Sequence, residues 1–117
     1  MNNDLRIKIV EMIKRSGEGH IPSSFSILDI VEYLYGHVLK FKKDEPQWTN
    51  RDYFILSKGH GCAALFVVLQ KYGVLLEKHL LEYGNKDGIL AGHPDLTKVP
   101  GIEASTGSLG HGFPMAT

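Results

Sequence analysis

The chain has one cysteine, no net charge and no long apolar run, and each shortage excludes something. A lone Cys62 cannot form an internal disulfide, which removes the stapled secreted scaffolds and fits a reducing compartment. Thirteen lysines and arginines balance thirteen aspartates and glutamates without a basic stripe. Nucleic acid and anionic membrane surfaces are therefore not expected partners. The longest apolar stretch, Cys62 to Leu69, is far too short to span a bilayer, and the charged amino terminus "MNNDLRIKIVEMIKR" lacks the apolar centre of a signal peptide. A soluble cytoplasmic protein is expected. Repeats and low-complexity tracts are also missing. At 117 residues with 43% apolar content, the chain has length and apolar content for one domain with a buried core.

What is abundant is glycine, 13 residues, and its placement beside histidine. Five of the six histidines follow a glycine: His20, His37, His60, His93 and His111. Composition alone would give roughly 0.7 such pairs.

Leu5, Ile9, Met12 and Ile13 recur at helical spacing, so the first fifteen residues read as an amphipathic helix stopped by Gly17 and Gly19. A second helix is expected over Ile27, Leu28, Val31, Leu34, Tyr35 and Val38. Ser26, three residues before Asp29, offers it a capping-box-like start. "KFKKDEPQWTNRD" reads as a loop. "YFIL", Tyr53 to Leu56, reads as a buried core strand, and Gly61 to Tyr72 as a helix packing on a sheet and ended by Gly73. A further helix is expected in "LLEKHLLEYG", with Leu76, Leu80 and Tyr83 on one side. From Asn85 to Gly112 no periodicity of either kind survives. Glycine, proline, serine and threonine are frequent there, and a loop of that length is usually functional. The fold class is α/β: helix-rich, with one core strand and an incomplete parallel sheet.

A strand, then "SKGHG", then a helix is the arrangement by which open α/β sheets bind ligands at a strand's carboxyl end. Glycines let the backbone approach an anion, and amides at a helix start attract it. A tight turn alone would explain the same residues. "STGSLGHGFPMAT" repeats the logic, with Pro114 suited to a first helical position. With Gly19-His20 and Gly92-His93 in loops, several imidazoles are expected to converge on one cleft, where they could bind hydroxyls and phosphates or move protons near neutral pH. A zinc site is the rival, but no histidine pair has the i, i+4 spacing of a helical site. His37 suits a helix carboxyl end, and His79 an exposed face. Cys62, beside Ala63 and Ala64, reads as a packing residue, with a catalytic thiol the sharper alternative.

"SGEGHIPSS", "RDYFILSKGH", "AGHPD" and "PGIEASTGSLGHG", in this order, closely resemble the amino-terminal part of the transketolases, thiamine diphosphate enzymes that move a two-carbon ketol unit. "SKGH" followed by "GHPD" is more similar to transketolase than to deoxyxylulose phosphate synthase. The resemblance implies a fragment, residues 1 to 117, of the thiamine diphosphate-binding domain or amino-terminal subunit. It implies transfer of a ketol unit from a ketose phosphate to an aldose phosphate by the complete, dimeric enzyme. His60 would contact the cofactor diphosphate near the donor sugar, His93 would hold the donor's terminal hydroxyl, and His20 would stand where a proton is exchanged. These three are the implied catalytic residues, with His20 and His93 also binding substrate. Gly107 and Leu109 would line the thiamine rings, while His111 falls where relatives carry glutamine or histidine. Relatives often have glycines after the first Gly-His, where this chain has Ile21-Pro22-Ser23-Ser24.

The family's Gly-Asp-Gly motif, later asparagine and activating glutamate are not in this sequence. Ligands for Mg2+ or Ca2+ are accordingly expected beyond Thr117, and no metal ligand is assigned here. A complementary transketolase domain or subunit is the expected partner, with sugar phosphates as substrates. The alternative is a non-catalytic binding or assembly module that pairs with such a subunit.

Overall fold

The computed structural model describes residues 2–91, 99–105 and 110–117. Helix α1, Asn3–Ser16, buries Leu5, Ile9 and Met12 along one stripe, as the 3.6-residue period requires. It ends where the sequence predicts. Gly17 adopts φ 75° and its N–H donates to the Ile13 carbonyl at 2.8 Å, the left-handed cap that glycine reaches without a Cβ clash.

Helix α2 starts six residues earlier than expected, running Ile21–Tyr33 with His20 at its amino-terminal cap position. Pro22 belongs to its first turn, where the missing N–H has no helical partner to lose. Ser26 is therefore interior rather than a cap, its hydroxyl donating to the Ser23 carbonyl at 3.0 Å. A wide π-type turn, Leu34–Val38, continues the helix. Gly36 lies on it because the Tyr72 hydroxyl occupies the space of its absent Cβ. That accounts for the glycine before His37 without involving the imidazole, which packs on the Tyr33 ring at 4.7 Å.

Helix α3, Cys62–Lys71, is buried on all sides from Cys62 to Leu69 and forms the centre of the molecule. A helix apolar all round must be enclosed, and α1 and α2 enclose it, with the short α4, Glu77–Leu81, at one end. The expected packing of this helix on a sheet is not observed among the described residues. No strand occurs among the described residues. A strand needs a hydrogen-bonded neighbour, and Tyr53 to Leu56 have no strand partner among the described residues. Leu56 reaches the core, whereas Tyr53 is 64% exposed and lies under the Arg51 guanidinium at 4.2 Å. The helix-rich part of the predicted fold class is observed; the core strand and parallel sheet are not.

In α4, Leu80 is buried, as is Tyr83 just beyond it, but Leu76 is exposed. His79 caps rather than merely facing solvent, its Nδ1 accepting the Leu76 N–H at 3.0 Å. Residues 82–91 carry no regular element. The last helix, α5, Gly112–Ala116, begins two residues before Pro114.

Candidate functional site

His20 and His60 are forty residues apart in sequence, and the fold brings their rings edge to face with centroids 5.1 Å apart. His60 occupies a single 3-10 turn, Gly59–Gly61, that leads directly into α3. Both flanking glycines are buried. A Cβ on Gly61 would lie 2.7 Å from Ile27 Cδ1 and 3.2 Å from the Ser23 carbonyl oxygen, so the absence of a side chain lets the turn press closely on α2. Lys58 Nζ adds a tie, donating to the Ser26 hydroxyl at 2.7 Å. His20 faces this turn from the start of α2, where its carbonyl accepts the Ser24 N–H at 3.1 Å.

The second glycine-rich turn reaches the same place. Gly112 is buried, and a Cβ there would overlap the Ser57 backbone and lie 2.8 Å from Ser57 Cβ. The "ILSKGH" and "GHGF" segments are thus in direct contact. Upstream, Arg51 and Glu103 form an ion pair with both side chains only 10% exposed, Nε to Oε2 at 2.8 Å and Nη2 to Oε1 at 3.0 Å. Two parallel N–H···O bonds fix orientation as well as distance. Arg51 Nη1 also donates to the Trp48 carbonyl at 3.0 Å. The pair fastens residue 103, three positions before Thr106, beside the segment that carries His60. Sequence reading does not find it, because two opposite charges 52 residues apart leave no periodic or motif signal.

Cys62 follows the turn and is 1% exposed. Burial pushes its thiol up to about 12, and the Sγ–H donates to the Ala91 carbonyl at 3.4 Å. The packing reading of this cysteine holds, and its bond secures the chain just ahead of Gly92. A thiolate is the reactive form. Native protein at pH 8 is therefore expected to resist iodoacetamide, with labelling at least tenfold faster in denaturant; equal rates would contradict the buried placement.

Of the predicted site residues, His20 is exposed and His60 partly buried. His93, Gly107 and Leu109 lie outside the described residues. His111 is exposed at the start of α5, and His37 and His79 stand in the roles described above. Among the described residues no three His, Cys, Asp or Glu side chains cluster as a metal set, and no helix is long and apolar enough to cross a membrane. Two imidazoles, one of them on a turn built from the buried Gly59 and Gly61, form a donor set, which suits an anionic, hydroxyl-bearing ligand.

A family profile described as "Transketolase, thiamine diphosphate binding domain" matches residues 1–117. This chain belongs to the transketolase family. Among its relatives, an apulose-4-phosphate transketolase subunit from Phocaeicola vulgatus is 39% identical over 108 residues, covering 92% of this chain and 38% of that protein. The 6-deoxy-6-sulfo-D-fructose transketolase subunit SqwG of Clostridium sp. strain MSTE9 is 38% identical over 115 residues, 97% of this chain and 42% of that one. The transketolase of Aquifex aeolicus is 37% identical over 112 residues, 95% and 16% of the two chains. The solved transketolase from Leishmania mexicana superposes with a TM-score of 0.81 at 30% identity, covering 92% of this chain and 16% of that chain. A Pichia stipitis transketolase in complex with sedoheptulose-7-phosphate gives 0.80 at 32% identity, covering 93% and 16%. The chain thus spans between 16% and 42% of the length of these relatives.

Proposed function

We propose that this chain supplies the diphosphate-facing and donor-sugar-facing side of a transketolase active site, completed by a complementary domain or subunit. The reading rests on one observation above all: His20 and His60 meet ring to ring, each next to a glycine, Gly19 and Gly61, at which a Cβ would lie under 3.0 Å from a neighbouring side chain. Two relatives being named as subunits supports a partner chain, and the complete enzyme is proposed to be a dimer.

The donor set fits thiamine diphosphate. When bound, that cofactor supplies the nucleophilic carbon and electron sink that ketol transfer needs. His60 would donate to the diphosphate. His20 would hold or return the proton exchanged at a sugar hydroxyl as the carbon–carbon bond breaks and forms, a task suited to an imidazole near neutral pH. His93 would hold the donor's terminal hydroxyl, and Gly107 and Leu109 would line the thiamine rings. Mg2+ or Ca2+ would take its ligands from a Gly-Asp-Gly motif, which this sequence does not contain. Substrates would be a ketose phosphate and an aldose phosphate, in the cytoplasm.

Assembled with its complement, the chain is expected to support ketol transfer from a ketose phosphate, and alone to show none, with weak or absent cofactor binding. Tight magnesium-dependent binding of thiamine diphosphate to these residues alone would overturn the shared-site reading. Normal ketol transfer by the complement without this chain would do so equally.

A further inference from the structure

Tyr83 lies just after α4, 2% exposed, with its ring 6.3 Å from that of Phe66 in α3. Its hydroxyl is buried and has no hydrogen-bond partner among the described residues. Such a group is costly, because its lost hydration is not replaced. Phenylalanine would fill the same ring space without that cost. The hydroxyl has one distinctive neighbour. Gly19 adopts φ +123°, and a Cβ there would lie 2.9 Å from the Tyr83 oxygen and 2.8 Å from Ile13 Cγ1. The phenol oxygen and Ile13 together form the floor beneath the Gly19 turn. Next to it, a Cβ on Gly84 would lie 2.8 Å from Ser16 Cβ, so the end of α1 and residues 83–84 are packed as one block.

We infer that Tyr83 is a positioning residue for His20. Gly19 is the residue before His20, and its positive φ is one that a glycine can leave easily if the surface under it recedes. The Tyr83 oxygen removes that freedom from below. From above, the His20 carbonyl is fixed by the Ser24 N–H and its ring meets His60. The height of the turn on Tyr83 therefore sets where the His20 imidazole meets His60. Tyr83 touches no reacting group itself, since its hydroxyl is enclosed. The inference rests on His20 acting in proton transfer, where displacements near 1 Å are worth about a hundredfold in rate.

The test is a double-mutant cycle in the complete transketolase containing this chain, with Tyr83→Phe, His20→Ala and both together. Diethyl pyrocarbonate modification of His20, followed by peptide mass spectrometry, gives a readout independent of turnover. Tyr83→Phe is expected to leave the melting temperature unchanged or raised, to lower kcat at least fivefold, and to change the His20 modification rate at least threefold without changing that of His79. In the His20→Ala background it is expected to have no further effect on kcat. An unchanged His20 modification rate overturns the positioning role, as does an equal loss of kcat in both backgrounds or a fall in melting temperature that accounts for the loss. Full activity of His20→Ala would instead defeat the proton-transfer role of His20, and the modification rate would still decide whether Tyr83 places its ring.

Discussion

Changing His60 to alanine in the complete transketolase is expected to lower turnover by at least about a hundredfold, the scale on which a positioned donor or proton-handling side chain acts. His93→Ala is expected to fall in the same range. His79→Ala is the control. Its imidazole accepts the Leu76 N–H at the start of α4, so its loss should cost a helix cap, about 1 kcal/mol of stability, and leave turnover within twofold. Steady-state kinetics at saturating cofactor distinguishes the three. Equal activities would remove the site assignment.

The second large effect concerns Gly112. A Cβ there would run into the Ser57 backbone, which cannot rotate away as a side-chain tip can. Gly112→Ala is expected to cost at least about 1–3 kcal/mol, as overpacking does, and to weaken thiamine diphosphate binding more than tenfold because Ser57 leads into the His60 turn. Gly17→Ala makes the comparison. Its Cβ would meet nothing within 4 Å, so only the left-handed backbone is penalised, roughly 1–2 kcal/mol, and cofactor binding should be unchanged. Thermal melts with cofactor titrations on both variants measure this. A similar cofactor affinity for the two would show that contact between the glycine turns does not shape the site.

Elements are legible in the sequence where a local pattern and its packing agree. The stripe of Leu5, Ile9 and Met12 and the stop at Gly17 need only helical period and a left-handed glycine. The start of helix α2 is obscured because Ile21-Pro22-Ser23-Ser24 resembles a loop in composition, although proline is welcome in a first turn. The same four residues build the start of the helix that carries His20 at its cap. "YFIL" has strand composition, but composition supplies no neighbour to pair with. Glycine placement makes the meeting of His20 and His60 legible, since residues that must approach closely lose their side chains. The Arg51–Glu103 pair, the Lys58–Ser26 tie and the floor under Gly19 are not legible. Each joins residues far apart in sequence, and tertiary contact alone selects them.

The proposed role of the chain depends most on His60 facing the cofactor diphosphate. Calorimetric titration of thiamine diphosphate with Mg2+ into the complete enzyme, compared between the unaltered protein and His60→Ala, measures that directly. Binding is expected to weaken at least tenfold in His60→Ala, about 1.4 kcal/mol or more, while His79→Ala binds as the unaltered protein does. Unchanged affinity in His60→Ala would contradict the placement of His60 at the diphosphate.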